Sequence, residues 1–168
     1  MKIVRGYGNG IHYIPTDIPR GISFGGSIKA VKELINIFKR EKFDLIQYST
    51  PNAALYASIA AKIVGCKIRN YHLMGFRYLG AHGIGKSILK TIEKVSCWNS
   101  TSIECVSRSN LELGIKEKVF PAEKATVVWN GSTGGVIMSD STISREMCGE
   151  ISFARSWGMK TLISYTVS

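Results

Sequence analysis

The sequence predicts an α/β fold built on a parallel β-sheet with helices on both faces. Three observations predict it. Short apolar runs of strand length alternate with segments of helical periodicity from about residue 11 to residue 130. The junctions carry Pro, Gly or a capping hydroxyl, the residues that start and stop elements. The chain has 168 residues, 45% of them apolar and 20% charged, which suits one ordinary domain with a real core and argues against disorder.

Taken in order, Ile11 to Ile14 reads as a short strand stopped by Pro15, and Pro19, Gly21, Gly25 and Gly26 mark a loop. Ser27 is placed to cap a helix reaching Glu41, with Ile28, Val31, Leu34, Ile35 and Phe38 at helical spacing. Asp44 to Tyr48 is a strand. Pro51 stands where a helix begins, and Ala53 to Val64 is an Ala-rich helix ended by Gly65. Lys67 to Leu73 is the next strand, followed by a loop over residues 74–85 with four glycines. A helix from Lys86 to Trp98 sets Ile88, Ile92 and Val95 on one face and Lys86, Lys90 and Lys94 on another. Thr101 to Ser107 is a strand, Asn110 to Lys118 a helix, and Ala125 to Trp129 a strand ending at Asn130-Gly131. Beyond residue 132 the rhythm breaks into a weak helix over Arg145 to Trp157 and an apolar strand, Thr161 to Val167. That strand either joins the main sheet or opens a further domain.

Charge and cysteine narrow the function classes. The chain holds 22 Lys and Arg against 12 Asp and Glu, a net charge of +10, all of it within residues 1–98. A one-sided basic surface points to an anionic partner: nucleic acid, membrane headgroups or a phosphorylated ligand. No apolar run is long enough to span a bilayer, and the N-terminus lacks the apolar core of a signal peptide, so the expected location is cytoplasmic. Cys66, Cys97, Cys105 and Cys148 form no C-x-x-C pair, and His12, His72 and His82 are not at zinc spacing, so neither a metal nor a disulfide is expected.

Gly80 to Ser87 satisfies the P-loop pattern G-x-x-x-x-G-K-S, which keeps an ATP- or GTP-binding protein as an alternative. A true P-loop needs a strand running directly into its first glycine, and the strand here stops at Leu73. The pairs Glu33/Glu41 and Glu104/Glu112 read as structural. The strand ends are the better place to look, because open parallel sheets bind ligands outside the carboxyl ends of their strands. Residues 48–52, 72–77, 107–110 and 130–133 are rich in hydroxyls and amides that suit a polyol, with arginines that suit phosphate oxygens. The lysines at 86, 90 and 94 allow either a solvated helix face or a membrane-surface helix.

The runs Glu41 to Ala54, Ala60-Ala61-Lys62 with Gly65, Tyr71 to Arg77, Ile92-Glu93-Lys94, Val106-Ser107 and Val127 to Val136 occur in fixed order and spacing. In these blocks the chain resembles the N-terminal domain of glycosyltransferase family 4 proteins of capsular and exopolysaccharide synthesis. The resemblance implies the GT-B architecture, in which two Rossmann-like domains face across a cleft. The first holds the acceptor, often a polyprenyl-linked saccharide at the cytoplasmic face of the plasma membrane, and the second holds the nucleotide sugar. It divides the chain into an acceptor domain over residues 1–136, lacking its usual first strands, and a linker helix with the first strand of an absent donor domain over residues 137–168. It implies acceptor contacts from Thr50, Asn52, His72, Gly75, Arg77, Ser107, Asn130 and Gly131, with a positioning role for His72 preferred over that of a general base. No catalytic residue, cofactor or metal is expected in this chain, and sugar transfer by it alone is not expected. The expected partners are a lipid-linked or saccharide acceptor and an anionic membrane, with Lys86, Lys90 and Lys94 at the membrane surface. A non-enzymatic basic binding module is the remaining alternative, and no nucleic-acid partner is expected.

Overall fold

Successive strands are parallel in the computed structural model, so each must be joined to the next by a crossover. The structure describes residues 24–128 and 161–164. The strand read at 11–14, the Asn130-Gly131 strand end, the helix read at 145–157 and Cys148 lie outside the described residues. Helix α1 (Phe24–Glu41) precedes β1 (Leu45–Tyr48), then α2 (Pro51–Ile63), β2 (Ile68–Leu73), α3 (Gly83–Asn99), β3 (Ser102–Cys105), α4 (Arg108–Lys116) and β4 (Ala125–Val127), with β5 (Thr161–Ser164) last. The sheet order is β4-β3-β2-β1-β5.

Most element ends follow the sequence with a chemical reason. Pro51 opens α2 at a position where no backbone N–H is needed. Gly65, at φ +75°, closes it: Gly65 N–H donates to Lys62 O and Cys66 N–H to Ala61 O, the paired bonds of a left-handed C-terminal cap. Two helices begin three residues earlier than their sequence signals. Helix α1 starts at Phe24, and Ser27 lies inside it, its hydroxyl bonded to Tyr56 Oη at 2.8 Å. Helix α3 starts at Gly83, so Lys86 and Ser87 lie inside the helix. Helix α4 starts two residues early because Ser107 is its cap, accepting from Asn110 N–H at 3.2 Å.

From β1 to β4 each crossover moves one strand in the same direction, and right-handed connections then put every crossover helix on one side. The side-chain bonds agree. Tyr71 Oη donates to Glu93 of α3 at 2.7 Å, and Tyr48 Oη bonds Ser100 Oγ at 2.7 Å. Helix α1 packs on α2 and α2 on α3, while Lys90 of α3 reaches Glu117 at the end of α4. The α/β architecture read from the sequence is therefore present, but the described helices form a single layer. The core lies between that layer and the face bearing Ile46, Tyr48, Tyr71, Leu73, Ile103 and Cys105, all buried. Cys66, Cys97 and Cys105 are buried free thiols.

Of the two places the sequence left open for the last apolar strand, the structure shows the first: Thr161 to Ser164 pair in parallel with Leu45 to Tyr48 in the main sheet. The edge of β1 offers unpaired backbone groups, and a short apolar strand satisfies them.

Candidate functional site

Register decides which side chains meet on the sheet. Tyr48 is level with Tyr71, His72 with Glu104, and Glu104 with Thr126. Period-two alternation therefore gathers Gln47, Asn70, His72, Ser102 and Glu104 on the face opposite the helix layer. They form a polar ladder across three strands. Asn70 Nδ2 donates to Gln47 Oε1 at 3.1 Å and to Glu104 Oε2 at 3.4 Å, and Ser102 Oγ donates to Asn70 Oδ1 at 2.9 Å. His72 Nδ1 lies 3.4 Å from Glu104 Oε2.

His72 and Gln47 are buried. A carboxylate on Nδ1 fixes the ring plane and its tautomer. The imidazole beside it is the main reason the Glu104 carboxyl sits below its ordinary pKa, burial opposes this, and the Asn70 amide adds to the lowering. Just past β1, Ser49 is buried as well. Among the described residues, neither Ser49 Oγ nor Gln47 Nε2 has a hydrogen-bond partner. Buried polar groups without partners at the carboxyl edge of a parallel sheet are ready to bond a ligand's hydroxyls.

Parallel pairing brings the sequence candidates to that same edge. Thr50 is the N-cap of α2 and does not make the usual side-chain capping bond, and Asn52 sits in the first turn. Ser107 caps α4, so its hydroxyl already serves the backbone. Gly75 and Arg77 follow β2 in a segment of alternating burial: Phe76 and Tyr78 are buried, whereas Met74, Arg77 and Leu79 are exposed. The Phe76 ring lies 5.2 Å from Tyr78 and 6.4 Å from Phe120, which anchors the loop and leaves the Arg77 guanidinium outside. Asn130 and Gly131 lie outside the described residues.

Sequence reading missed Gln47, Asn70, Ser102 and Glu104, and passed over Ser49. Glu104 reads as structural from the sequence, yet register sets it against His72. The available signal was the polar residue at every second position of two strands, Asn70 and His72 in one and Ser102 and Glu104 in the next.

The P-loop geometry is not present. Seven positions separate the end of β2 from Gly80, a 3-10 turn over Arg77–Gly80 intervenes, and Lys86 lies within α3. Of the three lysines, Lys86 and Lys94 are exposed. Lys90 instead donates to Glu117 Oε2 at 2.6 Å and stands 5.6 Å above the Tyr78 ring. Among the described residues no group of three or more His, Cys, Asp or Glu side chains is placed to hold a metal ion. No described helix is long and apolar enough to cross a membrane.

Comparison with known proteins agrees with the block pattern. Residues 5–132 match the model of Glycosyltransferase Family 4. The chain is 31% identical over 136 residues to the capsular polysaccharide biosynthesis glycosyltransferase CapM of Staphylococcus aureus, covering 80% of this chain and 35% of that protein. It is 26% identical over 121 residues to the UDP-Gal:alpha-D-GlcNAc-diphosphoundecaprenol alpha-1,3-galactosyltransferase of Escherichia coli, covering 71% of this chain and 31% of that protein. The chain thus spans about a third of the length of these relatives.

Proposed function

The chain belongs to glycosyltransferase family 4, and on that footing we propose that it forms the acceptor-binding part of an enzyme of cell-surface polysaccharide synthesis. The reaction is transfer of a sugar from a nucleotide-sugar donor to a lipid-linked or saccharide acceptor. The observation that carries this reading is the gathering of an imidazole, amides, hydroxyls and an exposed guanidinium at one carboxyl edge of a parallel sheet.

The sheet face and the carboxyl edge it leads to offer two chemistries side by side. The ladder of Gln47, Asn70, His72 and Glu104, with Ser49, both donates and accepts, as a sugar's hydroxyls require. Arg77 and the N-termini of α2 at Thr50 and Asn52 and of α4 at Ser107 favour phosphate oxygens. A diphosphate-linked saccharide, the acceptor printed in the name of the galactosyltransferase relative, joins both. Gly75 keeps the loop beside Arg77 free of a side chain, and Asn130 and Gly131 are acceptor contacts that the family resemblance implies. His72 positions the acceptor, with Glu104 holding its ring. The nucleotide sugar is a co-substrate, and the acceptor side needs no cofactor or metal. A lipid-linked acceptor sets the protein at the cytoplasmic face of the plasma membrane, where a net charge of +10 favours anionic headgroups.

The test is titration calorimetry of the chain with a short-chain prenyl diphosphate saccharide. Arg77→Ala, at an exposed position, is expected to weaken binding about tenfold or more, the size of a lost charged hydrogen bond, with the melting temperature unchanged. Folded protein that does not bind, or binds equally well without the guanidinium, overturns the assignment.

A further inference from the structure

Helix α3 buries one side and leaves most of the other exposed among the described residues. Ile92, Glu93, Ser96 and Cys97 face the core. At 100° per residue, Ile84, Ile88, Thr91, Val95 and Trp98 fall within one arc on the opposite side. Ile84 is 81% exposed, Ile88 46% and Trp98 73%, with Val95 half-buried between them. The sequence assigns Ile88 to the core side with Ile92, but the structure turns it out to solvent. The stripe therefore runs the length of a 17-residue helix, roughly 25 Å at 1.5 Å per residue. Near Trp98 it opens into a shallow groove of about 730 Å³ floored by Ile115 and Phe120.

Charge says what covers it. From residue 45 to residue 103 the chain carries a single acid, Glu93, and that carboxyl is buried in the core. The same stretch carries seven Lys and Arg. Lys62 Nζ stands 4.8 Å above the Trp98 ring, and Lys94, Lys118 and Lys124 rim the groove. The exposed acids on the neighbouring segment are Glu112 and Glu123. An exposed apolar stripe flanked by lysines, ending in a tryptophan, is the pattern of a helix that lies in a membrane interface.

We propose that α3 lies flat on an anionic bilayer, with Ile84, Ile88 and Trp98 entering the headgroup boundary and Lys62 and Lys94 pairing with lipid phosphates. The apolar contacts come from this stripe, and of the 86-90-94 lysine row Lys94 borders it while Lys90 is engaged with Glu117. This deepens the membrane association proposed above and does not depend on the acceptor.

The purified chain is sedimented with vesicles of phosphatidylcholine alone and of phosphatidylcholine mixed with phosphatidylglycerol. Binding is expected only with the anionic lipid, falling steeply with salt. Ile84→Ser combined with Ile88→Ser is expected to lower partitioning about tenfold or more. Lys62→Ala and Lys94→Ala should each lower it about fivefold. Ile28→Ser, at a 58% exposed site on α1, is expected to leave it unchanged. Absence of vesicle binding overturns both the membrane association and its surface. Anionic binding that the α3 variants leave intact overturns the surface alone. A lipid-free dimer abolished by the isoleucine variant makes the face a self-interface and also overturns the proposal. None of these results bears on acceptor binding measured by calorimetry.

Discussion

Glutamine in place of Glu93 isolates the effect of ionising a carboxyl inside the core. Glu93 is 1% exposed, accepts the Tyr71 hydroxyl at 2.7 Å, and makes no ion pair among the described residues. Burial raises its pKa from 4.5 to about 7, while the Tyr71 bond pulls the other way. At 1.36 kcal/mol per unit this corresponds to about 3 kcal/mol between the two protonation states. The folded pKa lies above the unfolded one, so the folded chain holds this proton more tightly. The contribution is complete below pH 4.5 and is lost as pH rises through about 7. Glutamine keeps an acceptor oxygen for Tyr71 but carries no ionisable proton. Urea denaturation at a series of pH values from acid to mildly alkaline is the assay, with the difference between the two proteins read at each pH. Wild type is expected to lose about 3 kcal/mol relative to Glu93→Gln across the window, because every other titrating group is common to both. Curves that stay parallel refute a buried carboxyl that is neutral in the fold.

Other perturbations read other parts of the structure. Tyr71→Phe leaves Glu93 Oε2 without its donor and is expected to cost about 1–3 kcal/mol in chemical denaturation. Glu104→Gln should behave with the opposite pH sign to Glu93→Gln. The Glu104 pKa is lowered, so its contribution is present above the unfolded value and is lost as pH falls through the folded one, and the variant should lack that acid-side loss in the same titration. Gly114→Ala puts a Cβ into the Phe120 ring, itself stacked near Phe76, and is expected to lower stability by about 1–3 kcal/mol in a thermal melt.

The sequence showed the alternation of strands and helices because Pro51, Gly65 and the apolar spacings act locally. It also marked the carboxyl edge, since parallel order alone brings residues 50, 72, 77 and 107 together. The ladder was not legible in the same way. Whether Glu104 meets His72 depends on a register set by two strands and the helix between them, and a slip of one residue would turn every side chain over. The start of α3 was hidden for a different reason: glycine is a poor helix former, so Gly83 and Gly85 read as loop, although the chain enters the helix at Gly83 with φ +57°, a conformation that suits glycine. The exposure of Ile88 was hidden too, because it sits on the wheel between the buried Ile92 and the exposed Ile84, and spacing alone does not say where the core ends. The direction of the strand order, which places the described crossovers on one side, was likewise not legible from alternation.

A diphosphate-linked saccharide is proposed to sit at the carboxyl edge of the sheet. Amide shift mapping of the isotope-labelled chain, titrated with a short-chain prenyl diphosphate saccharide, tests it residue by residue. The shifts are expected at Ser49 to Asn52, His72 to Arg77, Glu104 and Ser107. Shifts confined to the opposite edge, around Lys67, Arg69 and Thr101, or their absence at saturating ligand, contradict it.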